Sequence, residues 1–427
     1  MIVVCEPQCK AFSHEKVNSG FLYGLHLAYP QEKIRLYADI SHIEAIKQVL
    51  INDNVSIDDI EYVAIAFGNP HSLVGMLGYY FLFKRIFTDA LSVGINKVFF
   101  LSFSSRILCV IKTIKRQKKF STMKLTSVLH GEFESIAEDT VPSSLPLPPI
   151  APLGARIRKS SLIELPRKAI RRLKLLANAY VKGKSEALSS HLFPVKKILL
   201  WRHSADFKFI ALAPHVVANA KKYIDVVYLN VHTIVLPTVF AAPLPLPENT
   251  YPKFAIFGYG NSSMLYQVLF LLSQKKIEKP YEIRIIGVDG RGSEGFQNVN
   301  MPVRDRGLSR TEMEKYAEDI DAFLILYEKD KYRLSCSGSI LESLSYMKPI
   351  LHFDNVCMNA FNKGDLPIGI RSDTVDGYVD VMIDIIENYP EFRRKSEKFR
   401  DNIMRLRDEF SIKNSAMAIR KSFTWSS

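Results

Sequence analysis

The sequence AFLILYEKDKYRLSCSGSILESLSYMKPIL, residues 322–351, predicts a strand, a loop and a helix in direct succession. The apolar run at residues 322–326 is short enough for a buried strand, and a charged loop follows it. A helical pattern begins at Ser337-Gly338-Ser339 and ends near Pro349, because proline cannot continue a helix. A helix that begins with small residues can bind an anion, because its first N–H groups are free and its dipole is positive at this end. We therefore expect an anion-binding turn at the carboxyl edge of a parallel sheet.

Glu342 is the most informative side chain of this stretch, and two interpretations of it are open. It lies one turn inside the predicted helix, where its carboxylate could reach the hydroxyls of a nucleotide ribose. Ser339 and Glu342 also have the S-x-x-E spacing of a capping box, in which the glutamate only satisfies the backbone at the helix start.

The segment SGSILESLSYMKPIL resembles the donor-site signature of group 1 glycosyltransferases with the GT-B fold. The resemblance implies an α/β fold of two doubly wound Rossmann-like domains that face a cleft. It implies that Glu342 binds the ribose of a nucleoside-diphosphate sugar and that Ser337, Gly338 and Ser339 lie beside the diphosphate. Leu334 departs from the pattern, because the family usually has a second glutamate at this position.

The length of 427 residues suits two domains, and the alternation of short apolar runs with amphipathic stretches predicts parallel sheets with crossover helices. In the region after the basic segment we predict strands at residues 197–201, 207–212, 226–229 and 233–236. The Pro-rich sequence AAPLPLPENTYP is the predicted linker, and the resemblance implies that the last helices return to the first domain. The predicted units are an acceptor-side domain at 1–240 with a Pro-rich and basic insertion at 140–185, a linker at 241–252, a nucleotide-sugar domain at 253–390 and C-terminal helices at 391–427.

His130 follows a predicted strand end and has Gly131 beside it, so it can project into a crevice; a capping or packing role is the alternative. The sequence LHGEFE resembles a histidine-containing turn on the acceptor side of the GT-B cleft. That resemblance implies that Glu132 and Glu134 orient or deprotonate an acceptor hydroxyl, and His130 and Glu132 are our catalytic candidates. His14 and Glu15 are weaker candidates on the first loop.

A second turn, Gly258-Tyr259-Gly260-Asn261, lies between a predicted strand and a predicted helix. It contains G-x-G but has Ser263 where a dinucleotide fingerprint has its third glycine. The resemblance implies that this turn faces the donor phosphates. Arg304 could neutralise the diphosphate, and a surface salt bridge is its alternative role. No D-x-D follows a strand, and we expect neither a metal nor a cofactor.

The net charge of +13 is concentrated in residues 151–185, which carry ten basic residues and one acid. Leucines and isoleucines at helical spacing run through this segment. A solvated helix, an anionic membrane surface contacted through residues 156–176 and nucleic acid are three interpretations; no nucleic-acid-binding motif is present, so we expect no nucleic-acid partner. No apolar run reaches about 18 residues. We predict a cytoplasmic protein; under the membrane interpretation it is peripheral on the inner face of the membrane.

The expected function is transfer of a sugar from a nucleoside-diphosphate sugar to a glycan or a lipid-linked acceptor, as a metal-independent, hexosyltransferase-like enzyme of bacterial surface polysaccharide synthesis. Two alternatives stay open: a nucleotide-sugar epimerase of the same architecture, and a non-catalytic protein that keeps the fold. Leu334 in place of the usual glutamate is the feature that favours the second alternative.

Overall fold

The structure is a computed structural model that describes residues 1–55, 60–66, 68–70, 72–138, 193–240, 242–257, 262–286, 293, 295–301 and 310–423. Within these residues the chain forms two β-sheets, and all of their paired strands are parallel. The predicted α/β class with two doubly wound units is therefore confirmed.

The first sheet has seven strands in the order β3-β2-β1-β4-β5-β6-β7. The chain builds outward from β1 to β3 and then continues from β4 on the other side of β1. This reversal makes a topological switch point between β1 and β4, the place where doubly wound sheets bind ligands. The strands are β1 Ile2–Cys5, β2 Ile34–Ala38, β3 Ile60–Ala64, β4 Lys97–Phe100, β5 Lys124–Leu129, β6 Phe207–Ala211 and β7 Val231–Thr233.

Helices cover both faces of the first sheet. Ile2 and Val4 belong to one buried apolar cluster and Val3 and Cys5 to another, because successive residues of a strand point to opposite faces. The helices are α1 Glu15–Ala28, α2 Ile40–Asn52, α3 Leu73–Ser92, α4 Ser105–Lys115, α5 Glu132–Glu138, α6 Val195–Leu200 and α7 Pro214–Ala220.

The second sheet has six strands in the order β10-β9-β8-β11-β12-β13, so its switch point lies between β8 and β11. The helices that follow these two strands begin at the same edge of the sheet. The strands are β8 Lys253–Phe257, β9 Glu282–Ile286, β10 Val299–Asn300, β11 Ala322–Ile325, β12 Ile350–Phe353 and β13 Gly369–Ser372. The helices are α8 Ser262–Ser273, α9 Arg310–Ala317, α10 Gly338–Ser345, α11 Val375–Glu387, α12 Tyr389–Glu409 and α13 Ile412–Phe423.

The two halves are joined by the end of the chain, and basic side chains of α12 bind the segment between the two sheets. Helix α13 packs along α1, and residues of both belong to one buried cluster. Arg400 donates to the carbonyls of Met347 and Leu244, and Arg393 donates to the carbonyl of Pro247. These bonds attach the segment between the two sheets to the second half.

Two predicted strands are wrong, and a third, predicted at 233–236, is instead β7 at Val231–Thr233. Residues 197–201 lie mostly in α6, whose carbonyls are bound by the buried ammonium of Lys112. Residues 226–229 form turns, because the Asp225 carboxylate accepts the backbone N–H groups of Val227 and Tyr228. The basic segment at 156–176 lies outside the described residues. None of the helices in the described ranges is long and apolar enough to cross a membrane.

Candidate functional site

The loops that follow β1, β4 and β5 meet at the switch point of the first sheet. His130, directly after β5, binds the carbonyl of Leu101 after β4 through Nε2 at 2.6 Å. Ser102, on the same turn as Leu101, donates its hydroxyl to the buried carboxylate of Glu6 after β1. The parallel topology thus brings together three loops that begin after Cys5, Phe100 and Leu129 in the sequence.

The loop after β1 is held by a buried hydrogen-bond network. The Glu6 carboxylate accepts the backbone N–H of Cys9 at 2.9 Å and the Asn18 amide at 3.1 Å. The same amide nitrogen lies 2.8 Å from His42 Nε2, and His42 Nδ1 lies 2.9 Å from the carbonyl oxygen of Ala11. The network fixes the path of the loop into α1.

Glu6, Cys9 and His42 also form the one group of potential metal ligands that the described ranges contain, with ligand atoms within 4.8 Å of one another. Asn18 Nδ2 lies between the carboxylate and the imidazole and donates to both. Burial raises the pKa of the Cys9 thiol well above its ordinary value, so the sulfur carries its proton. The arrangement is that of a hydrogen-bonded loop anchor.

His130 and Glu132, the two catalytic candidates, lie side by side at this edge. Burial and the neighbouring ring of His14, 4.8 Å away between centroids, lower the pKa of His130 to about 4. The imidazole is therefore neutral at pH 7, and with Nε2–H directed to Leu101 its Nδ1 lone pair is an acceptor. Burial raises the pKa of Glu132 to about 7, and its Oε2 accepts the N–H groups of His130 and Gly131.

Glu134 has a different contact from the one that the resemblance implied. Its Oε1 accepts the backbone N–H of Leu334 at 2.7 Å and the hydroxyl of Ser335 at 2.9 Å. Helix α5 of the first half therefore holds the loop that precedes α10 in the second half. In this way a carboxylate from the first half lies against Leu334, the position at which the family pattern has its own glutamate.

Two further side chains of α7 hold the same loop. His215 Nε2 lies 3.1 Å from the carbonyl of Tyr332 and 3.0 Å from that of Ser335. Asn219 donates its amide to the carbonyl of Arg333 at 3.1 Å. Residues 332–335 are consequently bound to the first half by side-chain contacts from both α5 and α7.

The predicted anion turn begins α10 at the switch point of the second sheet. Ser337 is the N-cap residue, and its hydroxyl pairs with the Tyr327 hydroxyl at 2.8 Å instead of capping the helix. Gly338 is exposed, and a Cβ on it would meet nothing within 4 Å, so the space in front of the helix start is open. Ser339 lies in the first turn, and its carbonyl accepts the Ser343 hydroxyl.

Glu342 does not form the capping box that its spacing allows. Helix α10 starts after Ser337, which places Ser339 inside the helix, and no side chain caps the helix start. The buried Oε1 of Glu342 contacts the ammonium of Lys16, in the first turn of α1. The Glu342 carboxylate therefore faces the first half of the molecule across the space between the two sheets.

A cavity of about 420 Å³ lies at the carboxyl edge of β11, β12 and β13. Its volume is within the range of small-molecule sites in proteins. Apolar side chains, carboxylates and the side chain of Lys329 share its wall. The lining residues include Met264, Tyr327, Glu328, Phe353, Asp354 and Thr374.

The remaining predicted donor-site residues lie outside the described residues: Gly258, Tyr259, Gly260, Asn261 and Arg304. Lys16, His215 and Asn219 were missed from the sequence. A single lysine or histidine on an amphipathic helix belongs to no recognisable motif. Its partner becomes known only when the two halves are seen packed together.

Three solved structures share this architecture over nearly the whole chain. A glycosyltransferase from Rickettsia africae is 9% identical with a TM-score of 0.56, and the match covers 98% of this chain and 97% of that one. HepE from Anabaena, in complex with UDP-glucose, is 11% identical with a TM-score of 0.56 and coverage of 99% and 98%. TarM is 10% identical with a TM-score of 0.58 and 99% coverage of both chains.

No family model and no curated protein matches the sequence. The likeness is therefore one of structure, and it extends over both sheets and the helices that join them. The chain has the two-domain GT-B fold.

Proposed function

We propose that this protein is a glycosyltransferase that moves a sugar from a nucleoside-diphosphate sugar to an acceptor hydroxyl. The observation that carries the proposal is the position of Glu342. It lies one turn inside a helix that starts at the switch point of the second sheet, and its carboxylate is directed toward the first half rather than toward its own helix start. The structural likeness to a glycosyltransferase and to HepE in complex with UDP-glucose supports this assignment.

In this proposal the second half binds the donor. Glu342 accepts the ribose hydroxyls, and the N–H groups at the start of α10, near Ser337, Gly338 and Ser339, bind the diphosphate. The turn at residues 258–261 and Arg304 complete the phosphate site. The cavity lined by Met264 and Phe353 takes the base, because it lies at the same edge of the sheet.

The first half binds the acceptor, whose hydroxyl oxygen attacks the anomeric carbon of the donor sugar. A bond forms between these two atoms, and the bond from the anomeric carbon to the diphosphate oxygen breaks. Glu132 takes the hydroxyl proton, since a carboxyl with a pKa of about 7 is well matched to proton transfer at neutral pH. His130 orients the hydroxyl through its neutral Nδ1.

The finer assignment is a metal-independent hexosyltransferase of polysaccharide synthesis whose acceptor is a glycan or a lipid-linked sugar. The basic segment at 156–176 is the proposed contact with an anionic membrane surface, on the basis of its charge and its leucine spacing. It remains a prediction from the sequence.

The test is a thermal-shift and calorimetry panel of UDP, GDP and ADP sugars, followed by product analysis. We expect one base series to bind, with release of the nucleoside diphosphate when a suitable acceptor is added. Conversion of the sugar nucleotide in the absence of any acceptor would instead indicate an epimerase. If no sugar nucleotide binds, the proposal is wrong.

A further inference from the structure

The ion pair between Lys16 and Glu342 joins the two halves of the molecule at the candidate donor site. Lys16 lies in the first turn of α1, directly after the loop that the Glu6 network anchors. Its side chain is 33% exposed and that of Glu342 is 18% exposed, so water is partly excluded from the pair. Partial burial makes such a pair stronger than an ion pair at the open surface.

The ion pair occupies one of the two carboxylate oxygens that the hydroxyls of a ribose would use. Oε1 of Glu342 is buried, and the ammonium of Lys16 is in contact with it. A hydroxyl group can reach this oxygen only if the ammonium moves. A partly buried ammonium that leaves its carboxylate needs another anion, because an unpaired charge in such a place is costly.

A nucleoside diphosphate carries that anion next to its ribose. Glu342 is four residues beyond Gly338, so helix geometry separates it from the helix start by about 6 Å along the axis. A diphosphate bound at the helix start is therefore within reach of the Lys16 side chain after a rotation of its own torsion angles. Helix α1 does not have to move.

We propose that Lys16 is a donor-binding residue that exchanges partners, pairing with Glu342 in the nucleotide-free protein and with the donor diphosphate in the complex. This inference rests on the proposed function. The exchange gives both groups a partner before and after binding, because Glu342 then accepts from the ribose hydroxyls while Lys16 pairs with the diphosphate. Because Lys16 belongs to the first half, it also closes that half onto the donor and neutralises the diphosphate as the sugar leaves.

The test compares wild type, Lys16→Met and Lys16→Arg by calorimetry with UDP, GDP and ADP and with the nucleosides uridine, guanosine and adenosine. Methionine keeps the length of the side chain and removes its charge. For the base that binds, we expect Lys16→Met to weaken the diphosphate by at least tenfold and to leave the nucleoside equally tight or tighter, because Glu342 is freed. Lys16→Arg should restore most of the diphosphate affinity.

Lys10→Met is the matched control, since Lys10 is exposed on the same loop and its loss removes one positive charge there. It should leave both affinities within about twofold. The inference is overturned if Lys16→Met changes neither affinity, or weakens nucleoside and diphosphate equally. If the wild-type protein binds none of the six probes, both the proposed function and this inference are wrong. If the wild-type protein binds a probe and Lys16→Met binds it with the same affinity, only this inference is wrong.

Discussion

At the scale of single residues, Glu342 has the clearest role. Its helix begins too early for a capping box, so the carboxylate is available for a partner outside its own helix. That partner is Lys16, and we propose that the same carboxylate binds the ribose when a donor is present.

We predict that Glu342→Gln weakens binding of the nucleoside diphosphate by about 1.5–3 kcal/mol, the value of a hydrogen bond to a charged group. Calorimetry measures this change, and thermal unfolding checks that the variant stays folded. Glu391→Gln, an exposed change on α12, is the control. Donor affinity equal to that of wild type would leave Glu342 with the ion pair as its only function.

Glu132 makes a prediction about pH. Burial raises the pKa of this carboxyl from its ordinary value of 4.5 to about 7. Between pH 4.5 and pH 7 the Glu132 carboxyl is therefore protonated in the folded protein and ionised in the unfolded chain. The contribution of Glu132 to the free energy of unfolding therefore decreases as pH rises from about 4.5 to 7. The ionised form that accepts a proton accumulates over the same interval.

We predict that the transfer rate rises with pH with an apparent pKa near 7, and that Glu132→Gln loses both most of the rate and this dependence. His130 is neutral above pH 5, so its titration adds no second pH-dependent change of the transfer rate in this range. His130→Ala should lower transfer while nucleotide affinity changes little. A pH profile of Glu132→Gln that keeps the wild-type shape and amplitude would show that another group is the base.

At the scale of elements, α6 shows how a distant side chain decides secondary structure. The sequence KKILLW has the composition of a buried strand. The ammonium of Lys112, on α4, donates to the carbonyls of Ile198 at 3.0 Å, Leu199 at 2.6 Å and Trp201 at 3.0 Å. These carbonyls end a six-residue helix and would otherwise be unsatisfied.

We predict that Lys112→Met destabilises the protein by about 1–3 kcal/mol, because it leaves carbonyls without a donor in a buried site. Denaturant unfolding measures the loss. Lys197→Met, on the exposed face of the same helix, should change stability by less than about 0.5 kcal/mol. Equal stability of wild type and Lys112→Met would mean that water replaces the ammonium at these carbonyls.

At the scale of the whole molecule, the end of the chain holds the first half. Helix α13 follows the second sheet in sequence but packs on α1. The two helices approach closely: a Cβ added at Gly24 would lie 2.7 Å from Cδ1 of Ile419. Ile419 is fully buried in this contact. The position of Lys16, at the start of α1, therefore depends on residues near the C-terminus.

We predict that Ile419→Ala costs about 2–5 kcal/mol of stability, as other large-to-small changes in cores do. Met417→Ala, at a position that is 65% exposed on the same helix, should cost less than about 0.5 kcal/mol. Thermal and denaturant unfolding compare the two variants. Equal effects of the two substitutions would show that the contact between α13 and α1 contributes little.

Local patterns determined much of this protein. The apolar run and small-residue turn of residues 322–351 placed a strand and a helix correctly, because buried strands and helix starts depend on neighbouring residues. The same patterns predicted the alternation that builds both sheets, while the ribose-binding role of Glu342 stays a prediction. The order of strands and the assignment of helix or strand at 197–201 were not predictable in this way.

Only the tertiary structure decided which side chains meet. Glu134 reaches Leu334 and Lys16 reaches Glu342 across 200 and 326 positions of sequence, and no spacing rule relates residues on elements that pack together only after both sheets form. The predicted capping box is absent because α10 begins after Ser337, which places Ser339 inside the helix. The sequence determined the helices, the strands and the side chains that they carry, and the packing of the two halves determined which side chains meet. The physical reason is that hydrophobic burial is non-directional. Ion pairs and hydrogen bonds form only between groups that packing has already brought together.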